Sequence, residues 1–439
     1  MRKAIKLLDM LIILLFNIYA MALPIWLSLI ITAALFIGLY AFRTYDSENM
    51  KSINENLIRT TVGTIIGYII ILLVYVFIEK YINRYIFLYN LLFVMITIPV
   101  LHKIEYILYS KHFPVKRYLV IGRKNEIGKI LDEITKKSMN KLQFVEYINP
   151  SPVRLEKLMT ENYEEKNPLY FFNLKKEKET AKNNFNAIII TDPKLEDLVK
   201  PQLQEYKKRN IPIEYLPNIA ENYLKRIPLE VAEKFKEYYE VIFQNVKESP
   251  AKRIGDIIIS SVLFAVFSPF MLIISFFTLF EDGKPIVFSQ KRVGKNEQLF
   301  KMHKFRSLKN QPINKENPNA GIEQRVLKIG KITRKLRIDE TLQFFNVLIG
   351  NMSIVGSRPE MQEFHNQMKG KILFYPKRLL LNPGITGWAQ INYKHTTTLE
   401  DYKKKTEYDL YYIKNRTSIM DLQIMLKTAE TMLGMRGSR

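Results

Sequence analysis

From Met10 to Phe42 the chain runs for 33 residues without a charge. One helix of that length would be about 50 Å long at 1.5 Å per residue, whereas the hydrocarbon core of a bilayer is only about 30 Å thick. The run therefore has to turn within itself. Pro24, near its midpoint, is the natural place, and two short spans result. Further uncharged stretches cover Thr60–Ile78 and Tyr85–Leu101, the latter interrupted late by Pro99. Four transmembrane helices are expected within residues 1–112. The first run is too long for a cleaved signal peptide and is followed by further spans. Arg2, Lys3 and Lys6 precede the first span, Arg43, Lys51 and Arg59 lie between the second and third, and Lys103, Lys111, Lys116 and Arg117 follow the fourth. That distribution puts both ends of the bundle on the cytoplasmic side.

The 439 residues suffice for two or three domains and contain no cysteine, which excludes disulfides, thiolate zinc sites and cysteine nucleophiles. Lys and Arg outnumber Asp and Glu by 66 to 43, a formal charge of +23. Such an excess calls for an anionic partner: nucleic acid, an anionic membrane face or a phosphorylated substrate. No nucleic-acid-binding module appears and the cations flank the apolar runs, so nucleic acid is not expected.

Residues 113–248 read as a soluble α/β unit. Tyr118–Gly122, Ala187–Thr191 and Ile211–Tyr215 look like buried strands; one helix is expected from about Asn125 and another over Leu195–Lys208. Strand, helix, strand in that order predicts a parallel, Rossmann-like sheet. Only Gly122 and Gly128 follow the first strand, so the close glycine spacing of a dinucleotide loop is missing. A structural or regulatory role is expected for this domain.

The last part, residues 249–439, is expected to be α-rich. Within its apolar segment 251–280, Ile257–Phe280 is uncharged for 24 residues, with Ser268-Pro269 at its middle. Residues 281–439 carry a formal charge of about +14, which disfavours export. A re-entrant hairpin that dips into one leaflet satisfies both observations; a fifth span kinked at Pro269 is the alternative. Tyr408, Tyr411, Tyr412, Ile419, Met420 and Leu422 suit an interfacial helix or two.

Four clusters follow: Gln290–Gly294 with His303–Ser307, Arg334–Glu340, Ser353–Pro359, and Asn382–Asn392. Asp339-Glu340 is the chemically pointed pair. Asp339 alone reads equally well as a helix cap. Arg334, Lys335 and Arg337 immediately before it predict carboxylates held below their usual pKa range. An ionised Asp can attack phosphorus, and a neighbouring carboxylate can hold Mg2+. Lys304 and Arg306 suit phosphates or lipid headgroups equally, and His303 reads as structural.

Taken together, residues 251–427 resemble the bacterial sugar transferase family, the monotopic phosphoglycosyl transferases. The resemblance rests on Ser268-Pro269, Arg292-Val-Gly294, Lys304-Phe-Arg306, Asp339-Glu340, Asn346-Val-Leu348, Met352-Ser353, Arg358-Pro359, the Pro383–Gln390 loop and Asp409-Leu-Tyr-Tyr412. Four spans plus a Rossmann-like domain resemble its long-form members. The resemblance implies that a UDP-sugar donates its sugar 1-phosphate to undecaprenyl phosphate, releasing UMP, in a ping-pong reaction. Asp339 would be the nucleophile and Glu340 the Mg2+ ligand. Lys304, Arg306, Arg334, Arg358, Pro359 and Gln390 would contact substrate or its phosphates, and Ser268 and Pro269 would break the membrane helix. Expected partners are the UDP-sugar, undecaprenyl phosphate, the bilayer of a bacterial cytoplasmic membrane and, optionally, a second copy of the chain.

Two departures stand out. Ser357 occupies a usual proline position, with a looser turn as the expected result, and Tyr393-Lys394 replaces a usual Gly-Arg, which bears on substrate identity. Two other readings are a non-catalytic assembly scaffold and a sugar-nucleotide dehydratase or epimerase in the middle domain. The first predicts loss of a chemical residue, and none is lost; the second lacks its glycine fingerprint.

Overall fold

The computed structural model describes residues 2–42, 44–45, 50, 52–75, 84–112, 114–148, 185–309, 325–393 and 398–432. The chain is mostly helical and divides into two compact units, Met1–Leu224 and Lys225–Arg439.

The first unit begins with apolar helices α1 (Arg2–Leu15), α2 (Ile25–Ala41), α3 (Ile53–Tyr75) and α4 (Arg84–His112). α1 runs on as a π-helical segment over Phe16–Ala20, and the chain turns at Pro24, which precedes α2 with ψ 145°. By length and composition Ile53–Leu72 and Tyr85–Tyr109 can cross a membrane; Ile25–Tyr40 is apolar but shorter. Polar groups in such helices must find protein partners, since hydrocarbon offers none. His102 does so fully buried: its Nε2 lies 2.7 Å from Asp9 Oδ2, and its Nδ1 accepts from Asn56 Nδ2 at 3.0 Å. Asn90 donates to Asn17 Oδ1 at 2.9 Å.

Next come β1 (Lys116–Ile121), α5 (Lys124–Lys137), β2 (Leu142–Ile148), β3 (Ala187–Ile190), α6 (Pro193–Leu198), α7 (Lys200–Lys208), β4 (Ile213–Tyr215) and α8 (Leu216–Leu224). The strands form a parallel sheet in the order β2-β1-β3-β4. Strand β2 was not anticipated, because its alternation of polar and apolar residues differs from the continuous apolar runs of β1 and β3. The single helix expected over 195–208 is two, broken at Val199, where Pro201 opens a new first turn. At the end of β1, a Cβ on Gly122 would stand 2.0 Å from Thr191 Oγ1, and that hydroxyl donates to the Ile121 carbonyl at 2.7 Å. The space that Gly122 leaves is thus taken by its neighbour across the sheet.

The second unit contains α9 (Leu229–Lys234), α10 (Lys236–Gln244), α11 (Pro250–Asp282), the antiparallel hairpin β5 (Val287–Val293)/β6 (Leu299–Phe305), and α12 (Lys328–Lys335). α13 (Gln343–Leu348), β7 (Ser353–Val355), α14 (Gln362–Lys369), β8 (Gly384–Thr386), α15 (Trp388–Asn392), α16 (Leu399–Asn415) and α17 (Ser418–Met432) complete it, with β7 and β8 paired in parallel. Residues 225–248 group with this unit rather than with the α/β region before it, because Arg226 is paired with Glu407 of α16.

Among the described residues α11 is the third helix long and apolar enough to cross a membrane. Its helical hydrogen bonding continues through Ser268-Pro269, the position of the expected kink. Pro269 has no N–H for the Ala265 carbonyl, and Ser268 Oγ donates to that carbonyl instead at 2.7 Å. Both ends of α11 are tied to polar elements of its own unit. Arg253 donates to the Val347 and Leu348 carbonyls, and Asp256 accepts from Ser353 Oγ and the Ile354 N–H. At the far end Glu281 accepts from the Lys328 and Ile329 N–H groups that open α12. Met271 and Ile274 pack with Phe305, Ile338, Leu342 and Phe344, whereas Val266, Phe270, Leu272, Phe276 and Phe280 are exposed.

The tyrosines of α16 do not make an interfacial stripe: Tyr411 and Tyr412 are buried, and the Tyr412 hydroxyl is 2.7 Å from Asp421 Oδ1 and 3.2 Å from the Val355 carbonyl. On α17, Ile419 and Leu422 are exposed.

Candidate active site

α12 ends at Lys335, and Arg337 adopts a left-handed conformation (φ 54°) that reverses the chain into a 310 turn, Ile338–Glu340. Ile338 inserts into the apolar cluster against α11, which pins the turn and leaves Asp339 buried. Glu340 Oε1 lies 3.8 Å from Arg358 Nη2, and its Oε2 lies 4.0 Å from Arg337 Nη1.

β6 brings Lys304 to this pair. Its ammonium sits 5.3 Å from the centroid of Phe288, its cross-strand partner. Burial pushes the Lys304 pKa down, while Asp339 and Glu340 pull it up and Arg292 and Arg358 press it further down. The Asp339 carboxyl is pushed up to about 6, first by burial and then by Glu340, with Lys304 and Arg334 opposing. The sequence had led us to expect a depressed value; desolvation outweighs the cations because the turn is buried.

Arg292 belongs to the same group, although it was noted only within a motif. Its Nη2 donates to Gln290 Oε1 at 2.7 Å and its Nη1 to the Pro359 carbonyl at 3.4 Å, linking β5 to the loop that carries Arg358. That loop is fixed from behind. Arg378 donates to the Arg358 carbonyl at 2.9 Å and pairs with Asp409 Oδ2 at 2.9 Å, both side chains fully buried. Lys405 pairs with Glu360. The Ser357 hydroxyl donates to the Arg378 carbonyl at 2.9 Å, so serine ties this turn down where a looser one was expected. Under the loop the backbones nearly touch: a Cβ on Gly384 would stand 2.0 Å from the Gly356 nitrogen.

Asp339, Glu340, Lys304, Arg334 and Arg358 are therefore brought into one field, with Pro359 contributing its carbonyl to Arg292. Arg306 is placed differently. It is buried, pairs with Asp282 at 2.6 Å, and donates to the Asp282 and Gly283 carbonyls at the end of α11. Its guanidinium is occupied in capping a helix, which sequence spacing from Lys304 could not reveal. Gln390 turns its amide onto its own loop, donating to the Ile385 carbonyl at 3.3 Å. Ser268 and Pro269 lie within α11, as described. His303 is structural in its contacts, with its N–H on Asn346 Oδ1 and its ring on Ser289.

Among the described residues no three His, Cys, Asp or Glu side chains cluster as a metal cage. A pair of adjacent carboxylates fits magnesium better, since that ion takes one or two protein carboxylates and completes its shell with phosphate oxygens and water.

The sequence profile of the family described as "Bacterial sugar transferase" matches residues 247–435. A UDP-N-acetylgalactosamine-undecaprenyl-phosphate N-acetylgalactosaminephosphotransferase of Aeromonas hydrophila is 37% identical over 238 residues, 52% of this chain and 54% of the relative. A UDP-glucose:undecaprenyl-phosphate glucose-1-phosphate transferase of Klebsiella pneumoniae is 40% identical over 184 residues, 40% of this chain and 39% of the relative. The matched region thus spans about half or less of these two proteins. The exopolysaccharide production protein ExoY of Rhizobium meliloti is 33% identical over 204 residues, 43% of this chain but 88% of the relative. The chain belongs to the bacterial sugar transferase family.

Proposed function

We propose that this protein transfers a sugar 1-phosphate from a UDP-sugar to undecaprenyl phosphate, releasing UMP and forming undecaprenyl-diphosphate-sugar at the start of exopolysaccharide, capsule or O-antigen synthesis. One observation carries the reading: Asp339 is a buried carboxylate facing Lys304 and Arg334, beside Glu340, which faces Arg358 and Arg292, on a turn packed against the membrane-type helix α11. The names of the relatives support the choice of donor and acceptor.

In the proposed double displacement an Asp339 oxygen attacks the β-phosphorus of the donor. The bond from that phosphorus to the UMP oxygen breaks, and Asp339 carries the phosphosugar. A phosphate oxygen of undecaprenyl phosphate then attacks the same phosphorus and frees the carboxylate. Lys304, Arg334 and Arg358 offset charge on the phosphoryl oxygens. Glu340, with Asp339 beside it, would hold Mg2+, which when bound neutralises the diphosphate and eases the departure of UMP.

The proposal extends to placement. α11 is read as re-entrant because its two ends are tied to the same polar unit, through Arg253 and Asp256 at one end and Glu281 and Arg306 at the other. α1 with its π-helical continuation, α2, α3 and α4 are read as four spans with cytoplasmic ends, on the basic residues that flank them. The parallel-sheet region is read as a Rossmann-like regulatory or structural domain, consistent with Thr191 filling the space beside Gly122. The test is UMP release by nanodisc-embedded protein given Mg2+, undecaprenyl phosphate and a panel of UDP-sugars. Release with one donor, abolished in Asp339→Asn, is expected. Silence across the panel from folded protein would turn the reading towards a scaffold.

A further inference from the structure

The segment Lys225–Leu229 lies upstream of the family match, which begins at residue 247, yet it is built into the unit that carries the active site. Arg226 is 3% exposed, and its Nη1 lies 2.5 Å from Glu407 Oε2. The other Glu407 oxygen accepts from the Leu229 N–H at 3.1 Å, and the Glu407 carbonyl accepts from the Ile227 N–H at 3.1 Å. The Lys225 carbonyl accepts from Trp388 Nε1 at 2.9 Å, so the strap also holds the loop that precedes Gln390. Glu407 does not stand alone on α16. Lys405 and Asp409 of the same helix hold Glu360 and Arg378, and Arg378 holds the Arg358 carbonyl. One helix therefore grips the strap through Glu407 and the Arg358 loop through the residues two positions either side.

We propose that Arg226 is a positioning residue for phosphosugar transfer: by clamping Glu407 it fixes α16 and the Trp388 loop, and through α16 the loop that presents Arg358 to Glu340. This rests on the transfer reaction read above. The physical basis is the cost of leaving a buried carboxylate without its cation. Lys404, 3.5 Å from Glu407 Oε2 and about a third exposed, is a weaker partner. Without Arg226 the Glu407 carboxyl must take a proton or draw in water, and either rearranges the turn of α16 from which Lys405 and Asp409 project. A displacement of about 1 Å at a phosphate-facing Arg suffices for a large loss of rate.

The test uses the full-length protein in nanodiscs with Trp26→Phe, which leaves Trp388 as the remaining one of two tryptophans. Arg226→Met and the double variant Arg226→Met/Glu407→Gln are compared for UMP release, Trp388 emission and melting. Arg226→Met is expected to lower kcat by about 10- to 100-fold, with donor KM within about threefold, and to red-shift Trp388 emission. The double variant, which buries no uncompensated charge, is expected to recover most of the rate and the emission. Wild-type kcat and emission in Arg226→Met would overturn the proposal. So would a loss of rate that follows the loss of folded protein and is not recovered in the double variant. Should the unmodified protein release no UMP from any donor, the transfer reading fails by itself, and the emission comparison still decides whether Arg226 holds the loop.

Discussion

A carboxylate that attacks phosphorus has to be ionised, and burial favours the opposite state. In its proposed role Asp339 lies between these demands, with its pKa pushed up to about 6 by burial and by Glu340. In the proposed reaction the rate of UMP release should rise as pH passes upward through about 6, because the protonated carboxyl cannot attack. Stability moves the other way. A raised carboxyl pKa means the fold prefers the neutral form, so this contribution is complete below about pH 4 and lost as pH rises through about 6. Asp339→Asn should therefore melt no lower than wild type at pH 7; a lower melting temperature would show that the ionised group is held favourably. The pair Asp339-Glu340 was legible in the sequence because it is adjacent and follows three cations. The direction of the pKa shift was not, because burial comes from Ile338 packing on α11, a contact made across more than sixty residues. For the same reason Arg292 was missed as a member of the site: its tie to Pro359 spans 67 positions.

At the scale of elements, α11 shows how a helix can contain a proline and remain continuous. The Ser268 hydroxyl donates to the Ala265 carbonyl that Pro269 leaves without a donor, which matters most where lipid rather than water lies outside. This pair is exposed on the protein itself, so if lipid covers it Ser268→Ala should lower stability by about 1–3 kcal/mol, the cost of a carbonyl left without a donor away from water. Ser268→Ala/Pro269→Ala should recover it, since residue 269 regains an N–H. Thermal melts of the two variants in nanodiscs check this, and equal melting of the single variant and wild type would show that the hydroxyl is dispensable. The Ser-Pro dipeptide was readable as a breaker, and its compensation was not, because a serine hydroxyl reaches back only in a helix that has already formed. The tyrosines of α16 misled for a related reason. An aromatic face at helical spacing looks the same whether it meets lipid or protein, and here Tyr412 is spent on Asp421 and Val355. The strands β1 and β3 were legible from their continuous apolar runs, as was the turn at Pro24.

For the molecule as a whole, the absence of cysteine makes topology directly measurable. Single cysteines at residues 251 and 283 should both react with an impermeant thiol reagent applied from the cytoplasmic side if α11 is re-entrant. Labelling of the two from opposite sides would make it a span. The division of the chain at Leu224/Lys225 was not legible, because the strap owes its allegiance to one distant glutamate rather than to any local composition. The fastening of α11 at both ends has a kinetic consequence. In the proposed reaction, a unit held to the bilayer in this way meets its lipid acceptor by lateral diffusion within a sheet, while its soluble donor arrives from the bulk. For the proposed acceptor, then, the quantity that governs encounter is its mole fraction among the surrounding lipids, and diluting the bilayer with inert lipid should slow the proposed transfer even when the amount of acceptor in the tube is unchanged.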